Sequence, residues 1–298
     1  MAQKIVGVAG LGSMGSGMAR SLIRAGYTVQ GVDANPARVA ALAESGVFAT
    51  ASPAEAARSA GAFLISVVDA AQTQAVLFGP DGAAEELSDG AVVIATSTVP
   101  PPYIEALQAQ LREHQLLLVD APVSGGTAKA ASGELSIMAS GEPSAFEAAA
   151  GVLDAIASKV YRLGDRAGIG SRMKSVNQLL AGVHIAAACE AITYAIRIGV
   201  DPAAAYDVIT HSAGNSWMFE NRIPHVLEND YAPHSAINIL VKDLGIVLDA
   251  GRAERFPLPL TAAAHQLFLA AAGMGFAGDD DASIARVFAA LGGLQLPQ

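Results

Sequence analysis

The sequence predicts two folded parts, an α/β part built on a parallel sheet over residues 1–163 and an all-helical part over 164–298. Three observations carry this. The length of 298 residues exceeds what one hydrophobic core usually supports. Up to about residue 163, short apolar runs bounded by turn residues alternate with amphipathic stretches, the pattern of a parallel sheet wrapped by helices. After Gly164 that alternation stops, and long Ala-, Ile- and Leu-rich segments begin near Ser171, Asp201, Ser235 and Leu258. The stretch Asp165 to Gly168 between them reads as a hinge or seam.

Within the first part the predicted strands are Ile5–Ala9, Thr28–Val32, Ala62–Val67, Val92–Ala95, Leu116–Val119, Leu135–Ala139 and Val160–Arg162. Helices fill the gaps, and their ends are marked chemically. Asn35 precedes Pro36, placing a cap before a proline at the first helical position, while Gly26 and Gly46 stand where a left-handed helix stop is expected.

Hydrophobic residues make up 52% of the chain and charged ones 15%, which excludes disorder and leaves helices with more than one face to bury. A homodimer or homotetramer is therefore expected. The single cysteine, Cys189, permits no internal disulfide and there is no CxxC spacing, so a reducing cytoplasm is expected. The start, Met1 to Lys4 followed by an apolar run, reads as a strand rather than a leader peptide. The longest apolar stretch, Leu179 to Ile196, carries Gly182, His184 and Glu190 and fits a buried helix better than a membrane span. A net charge of −10 with no basic run argues against a nucleic-acid partner.

The first strand runs directly into Gly10-Leu11-Gly12-Ser13-Met14-Gly15, and an amphipathic helix with Met18, Ala19, Leu22 and Ile23 follows. Strand, glycine turn and helix in this order form a dinucleotide-binding unit of the Rossmann type. Gly10 permits the turn, Gly12 lets backbone amides approach a pyrophosphate, and Gly15 allows close helix–strand packing. The helix N-terminus then favours the phosphate charge. The second strand ends at Asp33, where a carboxylate can accept both adenosine ribose hydroxyls. Like charge there would repel a 2′-phosphate, and Arg38 stands a helical turn further on, so NAD is expected rather than NADP. As a bland alternative, Asp33 merely starts the turn before Asn35-Pro36. Val67 and Val68, with Thr96-Ser97-Thr98, fall on loops at the carboxyl edge of the same sheet, where ligands of open parallel sheets bind.

Three later segments concentrate polar residues in apolar surroundings. Asp120 to Gly126 follows a strand, and Ser124, Gly125 and Gly126 can aim a hydroxyl and amides at a carboxylate or can be a plain turn. Gly168 to Gln178 opens the most apolar helix. There Lys174, Asn177 and Gln178 stand at i, i+3 and i+4, so they share a face and can touch one ligand. The chain has only five lysines, and this one precedes Leu179, Leu180 and Val183. Desolvation lowers a lysine's pKa, as needed for an amine that takes a proton from an alcohol, whereas a snorkelling surface lysine is the alternative. In Asn238 to Gly245, Lys242 either closes over the nicotinamide side of a bound dinucleotide or forms a structural ion pair. The segment His211 to Phe219, with the only tryptophan, reads as a substrate-specificity loop or as a helix–helix turn packed by Trp217 and Phe219. The histidines show no HExxH arrangement, so no metal site is expected.

Taken together, these segments resemble the β-hydroxyacid dehydrogenase family across nearly the whole chain. Gly10 to Gly15 is similar to its cofactor motif, Asp120 to Gly126 to its substrate motif, Gly168 to Asn177 to its catalytic motif and Lys242-Asp243-Leu244 to its late cofactor motif. The resemblance implies an NAD-dependent oxidation of a small hydroxy-carboxylic acid by an oligomeric enzyme. It also implies Lys174 as the catalytic lysine, Ser124, Gly125, Gly126 and Asn177 as substrate contacts, and Thr98 and Lys242 beside the cofactor. Many relatives carry asparagine four residues after the lysine, where this chain has Gln178, so Asn177 and Gln178 both stand as candidate substrate amides. Oxidation at C2, or at a hydroxyl one carbon further out, fits the same residues. A non-catalytic dinucleotide-binding scaffold would be marked by loss of the lysine or of Ser124-Gly125-Gly126, and all four are present.

Overall fold

In the computed structural model, which describes residues 4–297, the chain divides into two compact units, one ending at Lys174 and the next beginning at Ser175. The reading of the first three residues as part of a leaderless start lies outside the described residues. In order, the first unit holds β1 (Ile5–Ala9), α1 (Ser13–Arg24), β2 (Thr28–Val32), α2 (Pro36–Ala43), β3 (Phe48–Ala49), α3 (Pro53–Ala57), β4 (Ala62–Ile65) and α4 (Ala70–Phe78). It continues with β5 (Val92–Ala95), α5 (Pro101–Glu113), β6 (Leu117–Asp120), β7 (Val123–Ser124), α6 (Gly126–Ser132), β8 (Leu135–Gly141), α7 (Pro143–Ile156) and β9 (Ala157–Gly164).

These strands make one sheet in the order β3-β2-β1-β4-β5-β6-β8-β7, with β9 paired to β8. From β3 to β6 every pairing is parallel. The order reverses between β1 and β4, which opens a crevice at their carboxyl ends. Each buried strand feeds both faces by its two-residue period: β4 sends Leu64 to the layer of Met18 and Leu22, and Phe63 and Ile65 to the layer of Leu107 and Leu111.

The parallel sheet expected from the sequence is present from β3 to β6, and β8 then runs antiparallel to β6 and β7. The connection from β7 to β8, residues 125–134, is shorter than the dozen or more residues a parallel crossover requires. The strand expected as Ala62–Val67 stops at Ile65, and that expected as Leu116–Val119 is shifted onto Asp120. The two-residue strands β3 and β7 are too short to show a period, and the sequence does not announce them. The caps are as expected: Asn35 accepts from Ala37 N at 3.1 Å, and Gly26 and Gly46 take φ of 85° and 89°.

The division between units falls inside α8 (Ile169–Arg197). The second unit continues with α9 (Pro202–Thr210), α10 (Trp217–Leu227), α11 (Ile237–Ala253), α12 (Pro259–Ala271) and α13 (Ile284–Gly292). Its core gathers Ile185, Cys189, Ile192, Phe219, Ile223, Leu240, Leu244 and Phe268. By length and hydropathy α8 could cross a membrane, yet half of its most apolar window is buried, and Ile185, Cys189 and Ile192 place it in this core.

Candidate active site

At the end of β1 the backbone turns through Gly10 at φ 89°, where a Cβ would lie 2.5 Å from the Ser66 carbonyl oxygen. A Cβ on Gly15 would meet the Gly10 carbonyl at 1.8 Å, so helix α1 can approach β1 only through glycine. Around Gly12 the space is open, the nearest atom to a Cβ being Arg38 Nη1 at 3.8 Å. No side chain caps α1 and its first turn holds no acid, so the leading N–H groups are presented to a ligand. The residues fit a pyrophosphate. Leu11 and Met14 turn their side chains into the core, leaving backbone and the exposed Ser13 as what this motif offers outward.

Asp33 is drawn into the turn. Its Oδ2 accepts from Leu11 N at 2.7 Å and its Oδ1 from Asn35 N at 2.8 Å. Arg38, expected a turn away, reaches back to lie 3.5 Å from Asp33 Oδ1, because it sits on the first turn of α2 just beyond the Asn35 cap. Further along the edge, Ser97 Oγ donates to the Val67 carbonyl at 2.7 Å, tying the loop after β5 to the loop after β4. Val68 is exposed, Thr98 is half-buried, and Asp69 caps α4 by accepting from Gln72 N.

Asp120 ends β6 and is fully buried. Its Oδ2 accepts from Gly168 N at 2.9 Å, Ser171 N at 2.9 Å and Ser140 Oγ at 3.1 Å, and its Oδ1 from Ser171 Oγ at 2.7 Å. The sequence grouped Asp120 with a substrate segment. The structure makes it the clamp that fixes the first turn of α8, a carboxylate where a helix N-terminus favours negative charge. Burial pushes its carboxyl up, against the pull of the hydrogen bonds from Ser171, Gly168 and Ser140.

One turn beyond Ser171, Lys174 is 7% exposed and donates from Nζ to the Val123 carbonyl at 2.9 Å. The adjoining Ser124 pairs with Ser136 across β7 and β8, and Gly125 and Gly126 follow at φ 136° and 75°. The lysine, the serine and the two glycines are thus brought together within the first unit.

In the second unit, Gln178 is buried and donates from Nε2 to Asp243 Oδ2 at 2.5 Å. Asn177 Nδ2 donates to Gln178 Oε1 at 3.0 Å. Lys242 Nζ lies 2.6 Å from Asp243 Oδ1, an ion-pair contact without hydrogen-bond alignment. The segment 211–216 connects α9 to α10, with Ser216 capping α10 by accepting from Phe219 N at 3.1 Å. Phe219 packs in the core and stacks on Tyr206, whereas Trp217 is 51% exposed, so only half of the packed-turn reading holds.

A cluster without a sequence motif lies on the same unit. His225, His234 and Asp280 place three potential metal-ligand atoms within 4.8 Å of one another. Asp280 is already engaged, accepting from Ala282 N, His234 N, Ser235 N and His225 Nδ1, with Arg222 Nε 4.0 Å away. Its carboxylate braces α10 against the turn at Asp281–Ser283. Burial works against its charge, but the bonds from Ala282, His225 and His234 hold it below the usual carboxylate range. Asp281, paired with Arg222 at 2.5 Å, is pushed up to about 6 by burial.

Residues 5–164 match the family described as the NAD binding domain of 6-phosphogluconate dehydrogenase. Residues 168–288 match that described as the NAD-binding of NADP-dependent 3-hydroxyisobutyrate dehydrogenase. The chain is 55% identical over 292 residues to an L-threonate dehydrogenase of Cupriavidus necator, covering 98% of this chain and 97% of the relative. It is 47% identical over 293 residues to an L-threonate dehydrogenase of Escherichia coli, covering 98% and 96%. A crystal structure of a 3-hydroxyisobutyrate dehydrogenase from Salmonella typhimurium superimposes with a TM-score of 0.92 at 48% identity, covering 96% of this chain and 100% of that one.

Proposed function

The chain belongs to the NAD-dependent hydroxyacid dehydrogenase family, and we propose that it oxidises L-threonate at the C2 hydroxyl to 2-dehydro-L-erythronate, with Lys174 as the proton-transfer group. The observation that carries this is the buried Lys174 with its Nζ on the Val123 carbonyl, beside Ser124, Gly125 and Gly126 in the same unit. Ser124 and the amides of Gly125 and Gly126 hold the substrate carboxylate. Lys174 takes the proton of the C2 hydroxyl as the C2–H bond breaks, its electron pair leaving as hydride. Bound NAD supplies the hydride-accepting nicotinamide. The Gly10–Gly15 turn, Asp33, Val67, Val68, Thr98 and Lys242 hold the dinucleotide, and Asp33 sets the preference for NAD over NADP.

Replacing Lys174 with alanine lowers kcat by about 10²- to 10⁴-fold, the usual worth of a positioned proton-transfer group, while NADH still binds in a fluorescence titration. A fully active variant removes the lysine from the mechanism. A panel of C3 to C5 hydroxy acids, with NAD and NADP in parallel, separates L-threonate from 3-hydroxyisobutyrate. The likeness to the Salmonella typhimurium structure favours that second reading, in which the hydroxyl oxidised is one carbon further out.

We also propose a cytoplasmic homodimer or homotetramer. Met173, Val176 and Leu180, at i, i+3 and i+7 on α8, are 40%, 52% and 49% exposed in the single chain, an apolar stripe that a second copy would cover.

A further inference from the structure

We propose that His225, His234 and Asp280 form a binding site for a borderline divalent transition-metal ion, zinc above all. The ion would tie the end of α10 to the loop at 228–236 and the turn at 280–283. The site lies wholly within the helical unit and is independent of the dehydrogenase reading.

The geometry is close to what zinc requires. The three ligand atoms lie within 4.8 Å of one another. With nitrogen and oxygen ligands about 2.0–2.1 Å from zinc, a tetrahedral arrangement sets neighbouring ligand atoms about 3.3 Å apart. His225 Nδ1 and Asp280 Oδ1 already stand at 3.0 Å. An ionised carboxylate can only accept, so the hydrogen of that contact sits on Nδ1, and zinc takes its place with a slight opening of the pair. The His234 ring stands edge-on to that of His225, with centroids 4.7 Å apart at 89°. His234 is exposed, so its side chain is able to turn the rest of the way, and the open side leaves the fourth position to water.

Only that ring has to move, because the backbone beneath it is held. Asp280 N donates to the Tyr231 carbonyl at 3.0 Å, Asp281 N donates to the Ser235 carbonyl at 2.8 Å, and Ala236 bridges Asp280 in antiparallel fashion. The other bonds to Asp280, from Ala282 N, His234 N and Ser235 N, aim its carboxylate as outer-shell donors aim a metal-ligating one. Arg222 Nε lies 4.0 Å from Asp280 Oδ1, but its guanidinium donates to both oxygens of Asp281, which leaves the Asp280 charge for the ion. Two imidazoles and one carboxylate suit zinc, copper or nickel, whereas magnesium and calcium take oxygen ligands. No compact motif announces the site, since its ligands come from three separate segments.

The test uses tag-free enzyme washed with EDTA and titrated with zinc chloride by calorimetry, with Tm read in parallel. One zinc per chain at micromolar Kd is expected, with a Tm rise of about 4–8 °C at a hundredfold excess over Kd. His234→Ala changes an exposed side chain, so the variant folds; it weakens zinc about tenfold or more and removes the Tm rise. His225→Gln weakens zinc likewise, and its Tm without zinc reports any loss of stability separately. His211→Ala removes an exposed histidine that lies 3.8 Å from Asp207 Oδ1 outside the cluster, and it leaves the zinc Kd unchanged. Magnesium chloride at the same concentration gives no Tm rise. The site is overturned by a wild-type enzyme whose Tm ignores zinc, by His234→Ala binding zinc as tightly as wild type, or by magnesium acting as well as zinc.

Discussion

Two buried aspartates, one in each unit, use the same chemistry differently. Asp120 is enclosed by four donors from Gly168, Ser171 and Ser140, two of them backbone amides that cannot turn away. Asp243 faces one side-chain amide and one ammonium, and its Oδ1 accepts no aligned hydrogen bond. A carboxylate filled by backbone donors fixes where a helix starts. One that meets a side-chain amide fixes instead which atom of that amide faces outward. The first is scaffold for Lys174, and the second imposes polarity on its neighbours.

The sharpest way to break this contrast is to remove each carboxylate. Asp120→Ala leaves two buried amides and two hydroxyls without an acceptor and is expected to cost about 3–5 kcal/mol of stability, with kcat falling as the start of α8 loosens. Asp243→Ala is expected to cost about 1–2 kcal/mol, since Lys242 is 21% exposed and can reach water. Urea midpoints measured side by side decide the matter, and equal losses would erase the distinction.

Asp33 extends the comparison to a carboxylate that closes onto the glycine turn. It holds Leu11 N and Asn35 N and lies beside Arg38. Asp33→Ala removes the proposed ribose acceptor and releases Arg38, so the ratio of kcat/KM with NADP to that with NAD should rise by about tenfold or more. An unchanged ratio would show that Asp33 serves the turn alone.

Asp281 gives the smallest effect, read through pH. Its carboxyl titrates near about 6 in the folded chain, against an ordinary 3.8. The folded state thus holds this proton more tightly than the unfolded chain. Its contribution to stability is present below about pH 4 and is lost as pH rises through about 6. Asp281→Asn should flatten the Tm profile across that window, and a slope identical to wild type would place the titration elsewhere.

Much of the dinucleotide end is legible in the sequence because its determinants are local. Gly10 to Gly15 lies within one strand–turn–helix, and Asp33 closes onto it from the adjacent strand. The approach of Arg38 to Asp33 is less legible, since it depends on how a long side chain folds back over a helix cap. Lys174 stands out as a rare lysine before an apolar helix. Its placement against Val123 instead required the Asp120 clamp, which joins residues 51 positions apart. The Gln178 to Asp243 contact spans 65 positions, and nothing in either segment announces the other.

The sequence by itself determined the alternation of strand and helix, the glycine turn, the cap at Asn35, and the shared face of Lys174, Asn177 and Gln178. All of these follow from periodicity and steric limits acting over a few residues. Only the tertiary structure decided that β8 runs antiparallel, that Asp120 is a clamp, that Asp280 braces α10, and that Asp243 orients Gln178. Hydrogen bonds between distant residues depend on which segments the fold brings within about 3 Å, and local pattern carries no record of that distance.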